Sequence, residues 1–420
     1  MQKIFFYFFI FLLPWQTRMI FTPEKPEFLS FSIYLSEIFL WLALAFWLTN
    51  ADLKKVSTPL LKRGGGGILL FCFFAFLSIS WSSDRVAAFR LWLFIFDGIM
   101  VYLFLREHSE LRQKAIKVFL FSLFIVSLFG IWQFFNLGSP ALKWLGLATR
   151  GAWNLGDIVV QTDGTRWLRA YGPFSHPNIF GGYLAVGLII MFNEIKKITK
   201  ALRSYEFCYI YFLSAVLFFA LFLTFSRSAW LALIISAFFL PLARPSKLLV
   251  VQERSGVIKG EVRRGILKFI LFLFVFAVAL SIIFWPLLRT RATSAGRLEQ
   301  KSNTERVASW REGLAVWYQN PFFGSGPGLG NSTVGVAKPY SQPPHNIFIL
   351  VLSQLGLVGF AIYLFLWRGF WKNTARFAES RRATRPILIL FFIIGLFDHY
   401  LWTLYSGQML FWLGLSLNQD

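Results

Sequence analysis

PLLRTRATSAGRLEQKSNTERVASWREGLAVWYQNPFFGSGPGLGNSTVGVAKPYSQPPH (residues 286–345) is polar and punctuated by Gly and Pro. It lies between two strongly apolar runs, ILKFILFLFVFAVALSIIFW (266–285) and NIFILVLSQLGLVGFAIYLFLW (346–367). Each run is long enough to cross a hydrocarbon core, which takes roughly 20 apolar residues as a helix. A long structured loop held between two such helices is a natural place for chemistry, because the spans have few reactive groups. Within the loop, NTERVASWREGLAVWYQ (303–319) reads as a helix and PFFGSGPGLG (321–330) as a turn.

Working outward, the same apolar signature recurs along the whole chain. Of its 420 residues 56% are hydrophobic and only 15% charged, where a soluble domain carries about 25% charged residues. The alternating ten-residue pattern of a closed barrel is absent, so the spans read as helices. Candidate spans cover 2–15, 31–49, 66–81, 88–105, 116–135, 178–192, 207–223, 228–243, 266–285, 346–367, 386–401 and 405–417. The expected fold is all-α, a polytopic transmembrane helical bundle of about twelve spans. We read residues 1–420 as a single membrane domain with outward loops at 136–177 and 286–345. The start, MQKIFFYFFIFLLPW, resembles a signal peptide, but Pro14 and Trp15 follow where a small-x-small cleavage site would stand, so it reads as a short first span.

The net charge of +22 does not point to nucleic acid, because the basic residues sit in short clusters between apolar runs. LKK…LKR (53–63), EIKKITKALR (194–203) and ESRRATR (379–385) all fall on one side of the alternating layout, the cytoplasmic side by the positive-inside rule. Both long loops then face outward. Cys72 and Cys208 are far apart in sequence and lie in or beside apolar runs, which makes a disulfide framework or a cysteine metal site a poor reading.

Location separates the four histidines. His108 lies in a cytoplasmic basic loop and reads as a solvated residue. His176 (SHPN), His345 (PPHN) and His399 (DHY) stand at the outer boundary, where an imidazole can accept a proton near neutral pH. The bland alternative for each is a histidine bonded to helix ends. His345 stands out because Pro343 and Pro344 stiffen its approach to the next helix. His176 reads as structural, since Pro177 and Asn178 are good helix-start residues.

The outward arginines form a second group: Arg166 and Arg169 before YGPFSHPN, Arg227 in TFSRSAW, and Arg306, read as opening the loop helix. Ser302 and Glu305 have capping-box spacing there, and Val307, Trp310, Leu314 and Trp317 share one face. An arginine in a turn as short as that of Arg227 runs against the topology preference, so something should retain it. A guanidinium fork matches phosphate oxygens; a lipid headgroup or a carboxylate partner would also satisfy it. Asp157, Asp163, Glu299, Glu305 and Glu312 are scattered, which argues against paired-carboxylate glycoside hydrolysis. No outward D-x-D offers a metal site, and GSGPGLG (324–330) lacks the Lys-Ser/Thr of a phosphate-binding loop.

R-x-x-G-P-F-x-H-P-N (169–178), T-F-S-R-S-A (224–229), R-x-x-x-W-x-x-G-L (306–314), N-P-F-F-G-S-G-P-G (320–328) and H-N (345–346) followed by L-x-x-x-G-x-x-G resemble the O-antigen ligase and polymerase superfamily. The resemblance covers roughly 165–365, and the twelve-span layout fits it across the chain. It implies a metal-independent, inverting glycosyltransferase of the bacterial inner membrane with its site facing the periplasm and no cofactor. The donor implied is an undecaprenyl-diphosphate-linked glycan, and the acceptor a lipid A-core, a glycan or a protein; no nucleic acid is involved. The resemblance makes His345 the catalytic base and gives Arg227, Arg306 and Arg169 to the diphosphate. Asn346, His176, Asn178, Asp398 and His399 would support them. The alternative from another class is a lipid-glycan transporter, which expects broken or charged helices at mid-membrane. Asp97 and Glu37 are the residues that speak for it.

Overall fold

The computed structural model of the chain describes residues 1–49, 66–162, 164–201, 204–240, 256–293, 297–328, 342–376 and 381–417. The basic cluster at 53–63, Asp163, the end of the GSGPGLG run and the start of ESRRATR lie outside the described residues. The described chain is helical: α1 (Gln2–Leu12), α2 (Leu35–Leu48), α3 (Gly66–Leu77), α4 (Arg85–Glu107), α5 (Arg112–Phe135), α6 (Pro177–Ala201), α7 (Ser204–Leu223), α8 (Arg227–Phe238), α9 (Gly256–Ile283), α10 (Trp285–Thr293), α11 (Arg297–Gln319), α12 (Ile347–Arg376), α13 (Arg381–Phe397), α14 (Tyr400–Thr403) and α15 (Tyr405–Leu417). Each of the twelve apolar runs overlaps at least one of these helices. Five of the helical stretches are long and apolar enough to cross a membrane, and six more are apolar but shorter.

The bundle is built around its last helix. Every residue of α15 is buried, and it packs along α4. Gly98 lets the two approach, since a Cβ there would lie 1.9 Å from Cδ1 of Trp412. At the other extreme, only 22% of the apolar window of α9 is buried, and Leu271, Phe274, Ile282 and Ile283 face outward from it. An apolar exterior is what lipid requires and water would not tolerate.

Three charged groups lie inside this apolar bundle. Arg90 donates from Nη1 and Nη2 to the Glu37 carboxylate, each at 2.5 Å, and also to the Ser32 carbonyl. Trp41 donates from Nε1 to Asp97 Oδ1 at 3.1 Å. Asp97 is thus held by an indole, while Arg90 and Glu37 pair with each other. Truncating one partner of such a buried pair costs about 3–5 kcal/mol.

Contacts between residues distant in sequence tie the connections to the helix ends. Gln2 meets His108 and Trp47 donates to Glu107. Lys25 pairs with Asp84, Ser82 donates to the Pro327 carbonyl, and the ring of Phe28 contacts that of His399.

The all-α expectation holds, while some finer expectations need correction. Outside the helices, β1 (Arg18–Ile20) pairs with β2 (Ser32–Tyr34), β3 (Gly138–Ser139) with β4 (Arg150–Gly151), and β5 (Val159–Thr162) with β6 (Thr165–Leu168), all antiparallel. These small ribbons satisfy the backbone of loops that have left the bundle. The loop helix α11 starts at Arg297, so Ser302 and Glu305 are interior and form no capping box, and Arg306 lies mid-helix. Glu299, Ser309, Gly313 and Val316 are its buried residues, and of the apolar face expected for membrane or bundle, Val307 and Leu314 are exposed. The run 386–401 is not one span: α13 stops at Phe397, and Asp398 and His399 stand outside helix.

Helix α12 breaks at Gly356, whose φ is 65° and ψ −171°. The backbone groups freed by the break are taken by the PFFGSG run. Ser325 and Gly326 donate N–H to the Ser353 and Gln354 carbonyls at 3.0 and 2.9 Å. Leu357 and Val358 donate in turn to the Pro321 and Phe322 carbonyls at 2.9 and 3.1 Å. Only glycine fits where the two backbones meet, for a Cβ on Gly356 would lie 2.3 Å from the Phe322 carbonyl and one on Gly324 2.4 Å from that of Gln354. The loop is therefore bonded into the span, and this fixes α11 over the bundle.

Candidate active site

His345 is placed by its neighbours in sequence and by the close approach of α11. Asn346 caps α12, its Oδ1 accepting from the N–H of Phe348 and Ile349 at 2.9 and 3.1 Å, while its Nδ2 donates to the Leu396 carbonyl at 3.2 Å. One residue therefore anchors the start of α12 to the end of α13. On the other side, a Cβ on Gly313 would come within 2.7 Å of Cγ of Pro344. The absence of a side chain on α11 lets Pro344, and His345 with it, sit under the loop helix.

The break after α13 brings Asp398 and His399 to the same place. The rings of His345 and His399 meet edge to face with centroids 5.1 Å apart. Asp398 is buried, and its Oδ2 accepts from Asn178 Nδ2 at 2.8 Å while Oδ1 accepts from the His399 N–H at 2.9 Å. His399 Nδ1 shares a hydrogen bond of 2.7 Å with Thr403 Oγ1. His345 Nδ1 is buried and has no hydrogen-bond partner among the described residues.

Burial sets the charge state of these groups. It lowers the pKa of His345; Asp398 opposes that shift and Arg306 adds to it. Burial brings His399 down to about 4 and His176 to about 3. For Asp398 burial works the other way, but Arg306 and the three histidines, when these take up protons, outweigh it and hold the carboxyl at about 2. Near neutral pH the site holds neutral imidazoles beside an ionised carboxylate.

From Asp398 a chain of hydrogen bonds runs back to the second loop. Arg169, almost fully buried, donates from Nη2 to Asn178 Oδ1 at 2.8 Å and from Nε to the Thr224 carbonyl at 2.5 Å. Asn178 N–H donates to His176 Nδ1 at 3.0 Å. His176 thus closes the first turn of α6, and Arg169 links that turn to the one preceding α8.

Arg227 is the first residue of α8, after the N-cap Ser226. Its Nη2 donates to Asn303 Oδ1 at 3.1 Å and its Nη1 to the Arg291 carbonyl at 3.4 Å. Arg306 donates from Nη1 to the Phe397 carbonyl at 3.4 Å, immediately before Asp398. Its charge acts on Arg227 and Arg169 as well as on His345, His399 and Asp398. Arg306 thus acts on both a histidine–aspartate half and an arginine half, whereas Arg166 stands over the Trp153 ring, 5.5 Å from its centroid.

Two residues of the arginine half, Arg291 and Glu299, were not singled out as site candidates by the sequence, which shows Glu299 only as one of several scattered acids. Arg291 donates from Nη2 to the Phe225 carbonyl at 3.0 Å and from Nη1 to the Glu299 carboxylate. Glu299 Oε2 lies 3.6 Å from Arg227 Nη2. Among the many charges of the loop, neither carried a local signal to set it apart.

His345, Asp398 and His399 offer ligand atoms within 4.8 Å of one another, a donor set that could take a divalent cation. Both oxygens of Asp398 already accept hydrogen bonds, and Arg306 adds positive charge nearby. The same groups suit proton transfer beside an anion site. Below them, starting at Ile347, Phe348, Tyr363, Trp367, Trp402 and Phe411 line an apolar cleft between the helices.

Residues 212–364 match the family model described as O-antigen ligase. The matched region runs from α7 into α12 and includes Arg227, Arg291, Glu299, Arg306, His345 and Asn346; Arg169, His176, Asn178, Asp398 and His399 fall outside it. No curated protein was found to match the chain.

Proposed function

We propose, for a chain that belongs to the O-antigen ligase superfamily through residues 212–364, that it transfers a glycan from an undecaprenyl-diphosphate carrier to an acceptor hydroxyl. The transfer takes place at the outer face of the bacterial inner membrane. The observation that carries the reading is the meeting of a buried His345 with Asp398 and with the charge of Arg306 of α11, which also acts on Arg227 of α8.

The acceptor oxygen attacks the anomeric carbon while the bond from that carbon to the diphosphate oxygen breaks, which inverts the centre. The proton of the hydroxyl passes to the His345 imidazole, and the electron pair of the broken bond goes to the departing diphosphate. Proton transfer of this kind contributes typically 10²–10⁴-fold. Diphosphate leaves readily once its charge is matched, so Arg227 and Arg306 supply the stabilisation and no metal is needed. Asp398 stabilises the imidazolium as it forms. Arg169, with Nε and Nη2 committed to Thr224 and Asn178, serves by holding the α6 and α8 turns in place. The polyprenyl chain lies in lipid beside the spans, against their exposed apolar side chains.

In vitro transfer from a defined undecaprenyl-diphosphate glycan tests this, with lipid A-core, glycan and pilin-type acceptors offered in parallel. Activity with one of them, lost in His345→Ala and unchanged by EDTA, is the expected result. A strict requirement for Mg²⁺ or Mn²⁺ would favour cation binding at His345, Asp398 and His399 instead. Inactivity with every acceptor, alongside carrier-bound glycan crossing vesicles, would return the protein to the transporter class.

A further inference from the structure

Arg227, Arg291 and Glu299 form a compact ion cluster where α8, α10 and α11 meet. Glu299 is almost fully buried in the first turn of α11, with only 5% of its surface exposed. One of its oxygens pairs with Arg291 Nη1, and the other faces Arg227 Nη2 at 3.6 Å with no hydrogen-bond partner among the described residues. Arg291 is itself largely buried, with a side chain 12% exposed, whereas that of Arg227 is 41% exposed. Two guanidinium groups facing one carboxylate is the arrangement in which arginines also take a phosphate, because carboxylate and phosphate oxygens match the same planar fork.

The backbone around the cluster is stapled. Arg169 takes the Thr224 carbonyl and Arg291 the Phe225 carbonyl, while Arg227 returns a bond to the Arg291 carbonyl. Phe225 holds a positive φ of 47°, a conformation a bulky residue keeps only when its surroundings enforce it. The turn that presents Arg227 is thereby held with or without substrate.

We infer that Arg291 is a further ligand of the donor's diphosphate, and that Glu299 is an internal anion occupying the place between Arg227 and Arg291 that a phosphate takes. This rests on the diphosphate reading of Arg227 given above. On donor binding the phosphate oxygens replace the carboxylate at the two guanidiniums. After transfer, the returning carboxylate competes with the product diphosphate and speeds its release. The exchange makes and breaks ion pairs only, with no covalent change.

The test is binding of inorganic pyrophosphate to the full-length protein in nanodiscs, by calorimetry at two salt concentrations. Glu299→Gln keeps the shape and removes the charge, and should tighten binding about tenfold. Glu299→Asp keeps the charge and should show no such gain. Arg291→Ala and Arg227→Ala should each weaken binding, and the gain in Glu299→Gln should vanish when combined with Arg291→Ala. Binding by wild type that depends on Arg227 but is not tightened by Glu299→Gln would overturn the exchange and leave the diphosphate site standing. An equal gain from Glu299→Asp would also overturn it, pointing to loosened packing in place of charge. Failure of wild type to bind pyrophosphate at millimolar concentration would sink both this inference and the diphosphate reading beneath it.

Discussion

A base must be unprotonated to act, and His345 is driven toward that state by burial and by the charge of Arg306. Its pKa lies below the ordinary histidine value, so raising the pH through neutrality should leave kcat/KM flat. The acid limb should fall only below pH about 6.5. Asp398 pulls the other way, favouring the imidazolium. Asp398→Asn should therefore shift the acid limb to still lower pH and reduce kcat about 10²-fold, measured in a pH–rate series. A limb that stays in place would mean the carboxylate does not act on the ring. Arg227→Lys is the second residue-scale test. Lysine keeps the charge but not the fork, so donor KM should rise while membrane insertion is unaffected; normal kinetics would count against phosphate binding there.

At the scale of elements, the site depends on two places where glycine lets segments touch. A valine at 313 would push its side chain into Pro344 and Ile349, which lie 2.7 and 2.9 Å from a Cβ built there. Overpacking of this sort costs typically about 1–3 kcal/mol. Gly313→Val should lower the thermal midpoint and, by lifting α11 from the His345 segment, reduce kcat more than it changes donor binding. A kcat equal to wild type would show that α11 does not hold His345. Gly356→Ala faces both a positive φ and the Phe322 backbone at 2.3 Å. It should undock the PFFGSG run, read out as faster amide exchange at Ser325, Gly326, Leu357 and Val358.

For the whole molecule, the outward orientation proposed for the loop at 286–345 is testable. In a background with Cys72 and Cys208 replaced by serine, Tyr318→Cys stands at the proposed outer end and Glu110→Cys at the inner. The side chain of Tyr318 is freely exposed, and that of Glu110 is 57% exposed. A membrane-impermeant maleimide should label the first in spheroplasts and the second only after permeabilisation. The reverse pattern would put the catalytic loop in the cytoplasm and end the proposed reaction, whose carrier-linked donor is presented outside.

What could be read along the chain was whatever depends on neighbours in sequence. Apolar length marks a helix that must satisfy its own backbone in lipid, and each of the twelve runs overlaps a helix. His345, Arg227 and Arg306 were recognisable because of their loop–helix junction, their short turn and the motif around them. The boundaries of α11, its buried face and the break in α12 were not recognisable, because they depend on which surface docks against which. The PFFGSG run bonds to a span more than 20 residues away in sequence, and nothing local announces that pairing. The same holds for Arg291 and Glu299, two ordinary loop charges until α8, α10 and α11 bring them to Arg227, and for His399, which reaches His345 across 53 intervening residues only because α13 ends at Phe397. Hydrophobic length and backbone satisfaction are local quantities, so they can be read from a string of residues. The fields and contacts that make an imidazole a base or a guanidinium an anion site are sums over groups distant in sequence, and only the packed bundle decides them.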